Sequence, residues 1–359
     1  MYPDAPEVEL LDTRPPRPGR RWRQALVGLV VLAAVGALVV ARSGDDGSPG
    51  PSQPSSPPPV VTTAPAPSAS TIPGVITSPD VAFTRIGNTV YAVDNGVLIT
   101  VDLQTGLRRT WPPVPEGDRY ALLADPSGRT VWLVAATDTR TVVESLNAST
   151  LEVGGQARFP SPYLDAAGLG GFLYVGTAAG VSVVGTGGGS IRYPAPALGG
   201  KPLALAADPT RNRVLVTVIK KGPIAIGAWP AFERRPETLT RSPVGKGDLV
   251  AAGGRIWAAG FGQHAVLVRL DPRTLRVVRH SPLEGELGNG GVIVDAGTRH
   301  LLVRPGETAS DLWCIDAGSG AVVRHWGGAA GAAALTARGV VLLAPGAPLE
   351  LLRSGACRG

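Results

Sequence analysis

Tyr120-Ala-Leu-Leu-Ala124-Asp-Pro-Ser-Gly128-Arg-Thr-Val131-Trp-Leu-Val134 holds the frame from which the fold follows. Two short apolar runs flank a turn, and the turn carries a residue that tolerates positive φ. The same frame recurs along the chain. Val81-Ala-Phe leads to Gly87 and then Val90-Tyr-Ala-Val, and Leu203-Ala-Leu-Ala-Ala leads to Asn212 and then Val214-Leu-Val. Gly87, Gly128, Gly170, Asn212, Gly254, Gly297 and Gly339 stand 41, 42, 42, 42, 43 and 42 residues apart. Gly and Asn in that slot predict a tight hairpin turn. A period of about 40–45 residues is that of a four-stranded blade, so the spacing predicts an all-β, seven-bladed β-propeller of antiparallel blades.

A second phase of the repeat lies 15–20 residues further on, before each outer strand. Asp102-Leu-Gln-Thr-Gly106, Asn147-Ala-Ser-Thr150, Asp271-Pro-Arg-Thr274 and Asp316-Ala-Gly-Ser-Gly320 occupy it. Asp or Asn at the head of such a turn caps its own backbone, and Gly supplies the positive φ. Blades three and four carry degenerate versions, Gly185-Thr-Gly-Gly-Gly and Phe232-Glu-Arg-Arg-Pro. The last hairpin is followed by too few strands for a full blade, and Gly74-Val-Ile-Thr is available to supply the fourth. Such closure between the two ends of the chain removes the exposed sheet edges.

The Asp-x-x-Thr-Gly turns and the Ala-Asp-Pro segments at 124–134 and 207–216 resemble YVTN-type and quinoprotein-like β-propeller repeats. The resemblance covers about residues 78–359 and implies architecture, because such propellers host many unrelated tasks. Quinoprotein repeats place a docking Trp four residues after the turn Gly. Here Trp111 and Trp326 lie five and six residues beyond Gly106 and Gly320, which departs from that pattern.

Upstream of the repeats the composition changes. Ala25–Ala41 is 17 residues without a charge, about 25 Å as a helix, and reads as a transmembrane helix. Five arginines between Arg14 and Arg23 precede it and only Arg42 follows before Asp45 and Asp46, which places residues 1–24 in the cytoplasm and the rest outside. The rival is a cleaved signal peptide ending at Val39-Val-Ala41, with the propeller secreted. The long leading region, with Asp4, Glu7, Glu9 and Asp12, favours the uncleaved anchor. Residues 42–73 read as a disordered Pro/Ser/Thr-rich linker and 74–359 as the propeller.

The chain has a net charge of +6 and a pI near 9.7, with 34 basic residues of which only Lys201, Lys220, Lys221 and Lys246 are lysines. The arginines are scattered over the strands and form no basic helix or aromatic-interleaved stripe, so nucleic acid is not expected as a partner. Cys314 and Cys357 are an even pair in an extracytoplasmic domain and predict one disulfide, closing a loop worth roughly 4 kcal/mol in the chain-entropy model. It would pin the last strand to the preceding blade.

No nucleophile motif, ligand-spaced cluster or phosphate loop stands out, and no catalytic residue, cofactor or metal is expected. Gly185-Thr-Gly-Gly-Gly-Ser190 lacks the following helix that phosphate cradling needs and reads as a hairpin turn. His280 and His325 repeat after Val-Val-Arg on outer strands, which is the behaviour of a structural position. Glu284 and Glu286 read as solvated acids in a glycine-flanked loop.

What remains is a binding module, a monomer that meets a protein or cell-envelope polymer through loops at one end of the channel. The candidate residues in those loops are Arg119, Tyr163, Asp165, Lys201, Lys220, Lys221, Asp248, His264, Glu286 and Asn289. The alternative is an extracytoplasmic propeller enzyme, a quinoprotein-like oxidoreductase or a lyase, whose acids and histidines converge across the blades.

Overall fold

The computed structural model describes residues 69–75 and 81–358, apart from 195–197, 220–223, 231–237, 245–246, 261–265, 282–290, 306–310, 330, 344–347 and 354–356. The sequence-predicted membrane segment 25–41 lies outside the described residues. Among the described residues no helix is long and apolar enough to cross a membrane.

Seven four-stranded antiparallel sheets form seven blades. Six are built from consecutive strands. Their inner strands are Ala82–Ile86, Arg119–Ala124, Tyr163–Leu169, Lys201–Asp208, Gly247–Ala252 and Val292–Ala296. Blade 7 runs Ala332–Thr336, Gly339–Leu343 and Pro348–Arg353, and its outer strand is Ala69–Val75 from the start of the repeat region. Ala69 pairs with Leu352 and Thr71 with Glu350. Closure between the two ends is therefore present, and the closing strand starts at Ala69, within the stretch read as linker.

The apolar residues sort into seven clusters, each shared by two neighbouring blades. Tyr91, Leu98, Val131 and Leu146 join blades 1 and 2, and Trp257, Leu267, Leu301 and Ile315 join blades 5 and 6. Val90, Ile99, Val341 and Leu351 join blade 7 back to blade 1. Seven interfaces for seven blades make a closed ring, stabilised at about 1.5–3 kcal/mol for each large side chain removed from water.

The turns follow from their residues. Asp102 Oδ1 accepts the amides of Gln104 and Thr105 at 2.8 and 2.7 Å, and Asp271, Asp316 and Asn147 head the equivalent turns in the same way. The residue four places on has positive φ: Gly106 at 73°, Gly320 at 76°, but also Leu151 and Leu275 at 56°. Of the seven periodic turn residues, Gly87, Gly128, Gly170, Asn212 and Gly254 lie between 48° and 70°. Gly339 departs, with φ of 143° as the first residue of its strand. Gly297 shows no positive φ; its turn runs to His300, whose carbonyl accepts the Gly297 amide. Gly185–Gly189 is a hairpin turn, as expected, whereas the degenerate turn of blade 4 lies outside the described residues.

The disulfide joins Cys314, on the third strand of blade 6, to Cys357 beyond the last strand of blade 7. Both cysteines are fully buried. Beside them His300 Nδ1 lies 2.7 Å from the Arg358 carbonyl, so the chain beyond blade 7 is held to blade 6 twice.

Candidate functional site: the inner-strand end of the channel

The seven inner strands surround a channel of about 680 Å³. Most of its wall is small and apolar, as at Ala82, Ala121, Gly168, Ala207, Ala251 and Ala296. Small residues recur there because the strands converge toward the axis, although Phe83, Tyr120 and several leucines also line the wall.

Polar side chains there include Thr84, Arg85, Tyr120 and carboxylates. Asp165, Asp248 and Asp295 line an adjoining space of about 190 Å³ that also touches Leu205, Leu249 and Ile293. Asp165 is the third residue of its inner strand and Asp248 the second. Each carboxylate receives a main-chain amide from the next blade: Leu205 N–H donates to Asp165 at 2.6 Å, Ile293 N–H to Asp248 at 3.0 Å and Leu335 N–H to Asp295 at 2.6 Å. In blade 1 the Thr84 hydroxyl oxygen accepts the Ala124 amide at 3.1 Å in the same manner. Asp165 and Asp295 also accept the amide of the following residue, Ala166 and Ala296.

The backbone explains why these side chains reach across. In blades 3 and 6 the pairing register shifts between Tyr163 and Asp165 and between Ile293 and Asp295. One extra residue in the strand bends it and re-aims the next side chain. Burial pushes Asp165 up to about 7, against the pull of the Leu205 and Ala166 amides and helped by the charge of Asp248. Burial likewise raises Asp295, although two amides and the charge of Arg85 oppose it. Tyr163, two residues before Asp165 in the same strand, is raised well above its ordinary value, first by desolvation and then by that carboxylate.

The sequence expectations for this end need correction in one respect. Arg119, Tyr163, Lys201 and Asp248 were expected in loops, with Asp165, but all five lie at the starts of the inner strands of blades 2 to 5. The apolar runs begin earlier than hydropathy suggests, because channel-facing positions are polar or small. Arg119 is exposed and pairs with Asp138 at 3.3 Å, and Lys201 is exposed. The structure brings together Asp165 and Asp248, not the whole set. Lys220, Lys221, His264, Glu286 and Asn289 lie outside the described residues. Asp295 was missed: Val292-Ile-Val-Asp295 reads as an apolar run ending at a turn. The available signal was the 40-residue offset that Asp165–Leu205 and Asp295–Leu335 share.

Among the described residues no group of three or more His, Cys, Asp or Glu is arranged to hold a metal ion. The alternative reading as a quinoprotein-like oxidoreductase would need a bound quinone, whose carbonyl oxygens accept hydrogen bonds and call for free donors. The space beside Asp165, Asp248 and Asp295 is lined otherwise by Leu205, Leu249, Val250, Ile293 and Ala296, and Arg85, whose charge reaches Asp295, is folded onto the Gly87 carbonyl, so these residues do not fit it.

No protein-family model and no curated protein sequence matches the chain. Solved structures do. The chain is similar to the β-propeller domain of Cps50 (Swd1) from Myceliophteria thermophila, with a TM-score of 0.60 and 14% identity over 80% of this chain and 99% of that one. It is similar to a chain of a mitotic checkpoint complex, at 0.62 and 11% over 84% and 98%. It is also similar to virginiamycin B lyase from Staphylococcus aureus, at 0.58 and 12% over 80% and 98%. At these identities the likeness shows the propeller fold alone.

Proposed function

We propose that this chain is a single-pass cell-membrane protein whose N-terminal helix carries an extracytoplasmic, non-enzymatic propeller that binds a protein or cell-envelope polymer. We read its repeats as YVTN-type or quinoprotein-like, on their Ala-Asp-Pro and Asp-x-x-Thr-Gly turns. One observation carries the non-enzymatic reading. The three carboxylates that converge on the channel each hold a backbone amide of the neighbouring blade. They clasp the ring, so each has a structural role between neighbouring blades that accounts for its place on the channel wall. Propellers in multiprotein assemblies, such as the mitotic checkpoint complex chain, supply a fold-level analogy for the binding role.

Partner contact belongs at the end where the inner strands start. There Arg119, paired with Asp138, and Lys201 are exposed at the strand starts of blades 2 and 4. Affinity capture with the full-length protein from detergent-solubilised envelopes tests this. An Arg119→Glu, Lys201→Glu double variant with unchanged melting temperature should lose the captured partner. Retention of the partner would move the site elsewhere.

A second reading is kept because three acids line one space off the channel. It is the lyase or oxidoreductase, and virginiamycin B lyase shows that this fold can carry an enzyme. Elemental analysis of the purified protein that found stoichiometric calcium or a transition metal would promote it over the binding module.

A further inference from the structure

The opposite end of the channel, where the inner strands turn back, has a different chemistry. Six of the seven hairpins there carry or adjoin an arginine: Arg85, Arg129, Arg211, Arg255, Arg299 and Arg338. Blade 3 alone turns through Gly170-Gly171. All but Arg85 are exposed, and the Arg85 guanidinium folds back onto the Gly87 carbonyl at 3.0 Å. Arg211 shares Asp208 with Arg213, and Arg338 leans on the Leu103 carbonyl at 3.5 Å. Among the described residues Arg129, Arg255 and Arg299 make no ion pair. Of the acids at this end, Asp125 and Asp208 are buried within the inner hairpins, and Asp102, Glu152, Asp271 and Asp316 lie on the outer turns. Asp102, Asp271 and Asp316 have a carboxylate oxygen tied to their own backbone. Arg108 and Arg273 accompany them. At the other end Glu116, Asp118, Asp138 and Asp311 join Asp165 and Asp248, against Arg119, Arg140, Lys201 and Arg241. Among the described residues the two ends thus differ in sign.

We propose that the arginine-bearing hairpin end is a docking face for an anionic phospholipid surface; this rests on the reading above that residues 25–41 anchor the chain. Three observations favour a bilayer. The cations are spread around a ring rather than converging, which suits a plane of headgroups better than one small anion or a polymer that needs a groove. They are arginines, whose planar fork bonds phosphate oxygens in pairs. And the tether arrives at this end: Ala69 pairs with Leu352, which in turn pairs with Val340 beside the blade 7 hairpin. Residues 42–68, extended at about 3.1 Å each, reach about 80 Å, so the tether alone does not fix the propeller's orientation. It does keep the face at high effective concentration beside the membrane, where weak charge attraction suffices to seat it.

The full-length protein is reconstituted into phosphatidylcholine vesicles and into vesicles about one-third phosphatidylglycerol, then labelled with an arginine-selective dicarbonyl and mapped by mass spectrometry. Arg129, Arg255 and Arg299 should react about threefold or more slowly in the anionic vesicles, with Arg119 and Arg140 unchanged. Raising salt to about 0.5 M should restore their reactivity. In an Arg129→Gln, Arg255→Gln, Arg299→Gln variant, the remaining Arg211 and Arg338 should react equally in both lipids. Equal reactivity of the native protein in the two lipids, with the chain resisting carbonate extraction, overturns the docking face and leaves the ring for an acidic protein. A chain that carbonate extracts from both refutes the anchor instead. Sedimentation of that soluble chain with anionic but not neutral vesicles then supports the face, and its absence overturns it.

Discussion

Asp165 and Asp295 are each held by two backbone amides on the half-buried channel wall, and desolvation outweighs those donors. The sign of the consequence follows from linkage. A carboxyl whose folded pKa lies above its unfolded value of about 4 stabilises most when protonated. That contribution is full below pH about 4 and is lost as pH rises toward 7, the value for Asp165. The turn acids Asp102, Asp271 and Asp316 are lowered by their own turn amides and act oppositely, losing stability as pH falls below about 4. Melting temperature should therefore peak near pH 4–5 and fall by roughly 2–6 °C by pH 8, and Asp165→Asn should flatten that slope in a calorimetric pH series. Leu275 shows another trade. It holds a positive φ that costs about 1 kcal/mol, and it stays because its side chain is fully buried between blades 4 and 5. Gly155 has no such latitude: a Cβ there would stand 2.3 Å from the backbone of Gly187 and Gly188. Gly155→Ala should cost about 1–3 kcal/mol in chemical denaturation.

At the scale of the strand, closure is what most needs help. The last strand of blade 7 is flanked by Ala69–Val75, and the chain beyond it is bonded to blade 6 through Cys357. Cys314→Ala with Cys357→Ala should lower stability by about 2–5 kcal/mol, and hydrogen exchange should quicken first in 348–353. Exchange that quickened equally in all blades would show that the bond acts on the unfolded chain alone. The sequence made the blades legible because each turn repeats a residue type with a conformational reason, Gly or Asn for positive φ and Asp for the cap. The inner strands were harder. Pro160-Ser-Pro162 before Tyr163, and Gly247 before Asp248, look like loop, and the bulges at Asp165 and Asp295 break the strict alternation that marks a strand. The clasping role of those acids depends on an amide some forty residues away, which no local pattern reveals.

For the whole molecule, a ring whose seven sheets all have neighbours on both sides leaves no long exposed edge, and the protein is expected to be a monomer by light scattering in detergent. The charge difference between its ends gives it a direction as well as a shape. The closing strand carries a further consequence, one of timing. Ala69–Val75 emerges from the ribosome first among the strands but pairs with 348–352, which emerge last. At about 5–20 residues per second, that gap is about 14–56 seconds during which the strand has no partner. The other blades complete themselves as they appear, each from its own four strands. A waiting strand invites pairing with whatever passes, and its composition answers that hazard: Ala69-Ser-Thr-Ile-Pro-Gly-Val75 is short and interrupted by Pro73 and Gly74, so it makes a poor template for a stranger. Its register with the last strand shifts between Ile72 and Val75, at those two residues. The seam of the ring is thus weak by composition while it waits, and the disulfide secures its neighbour once the last blade has arrived.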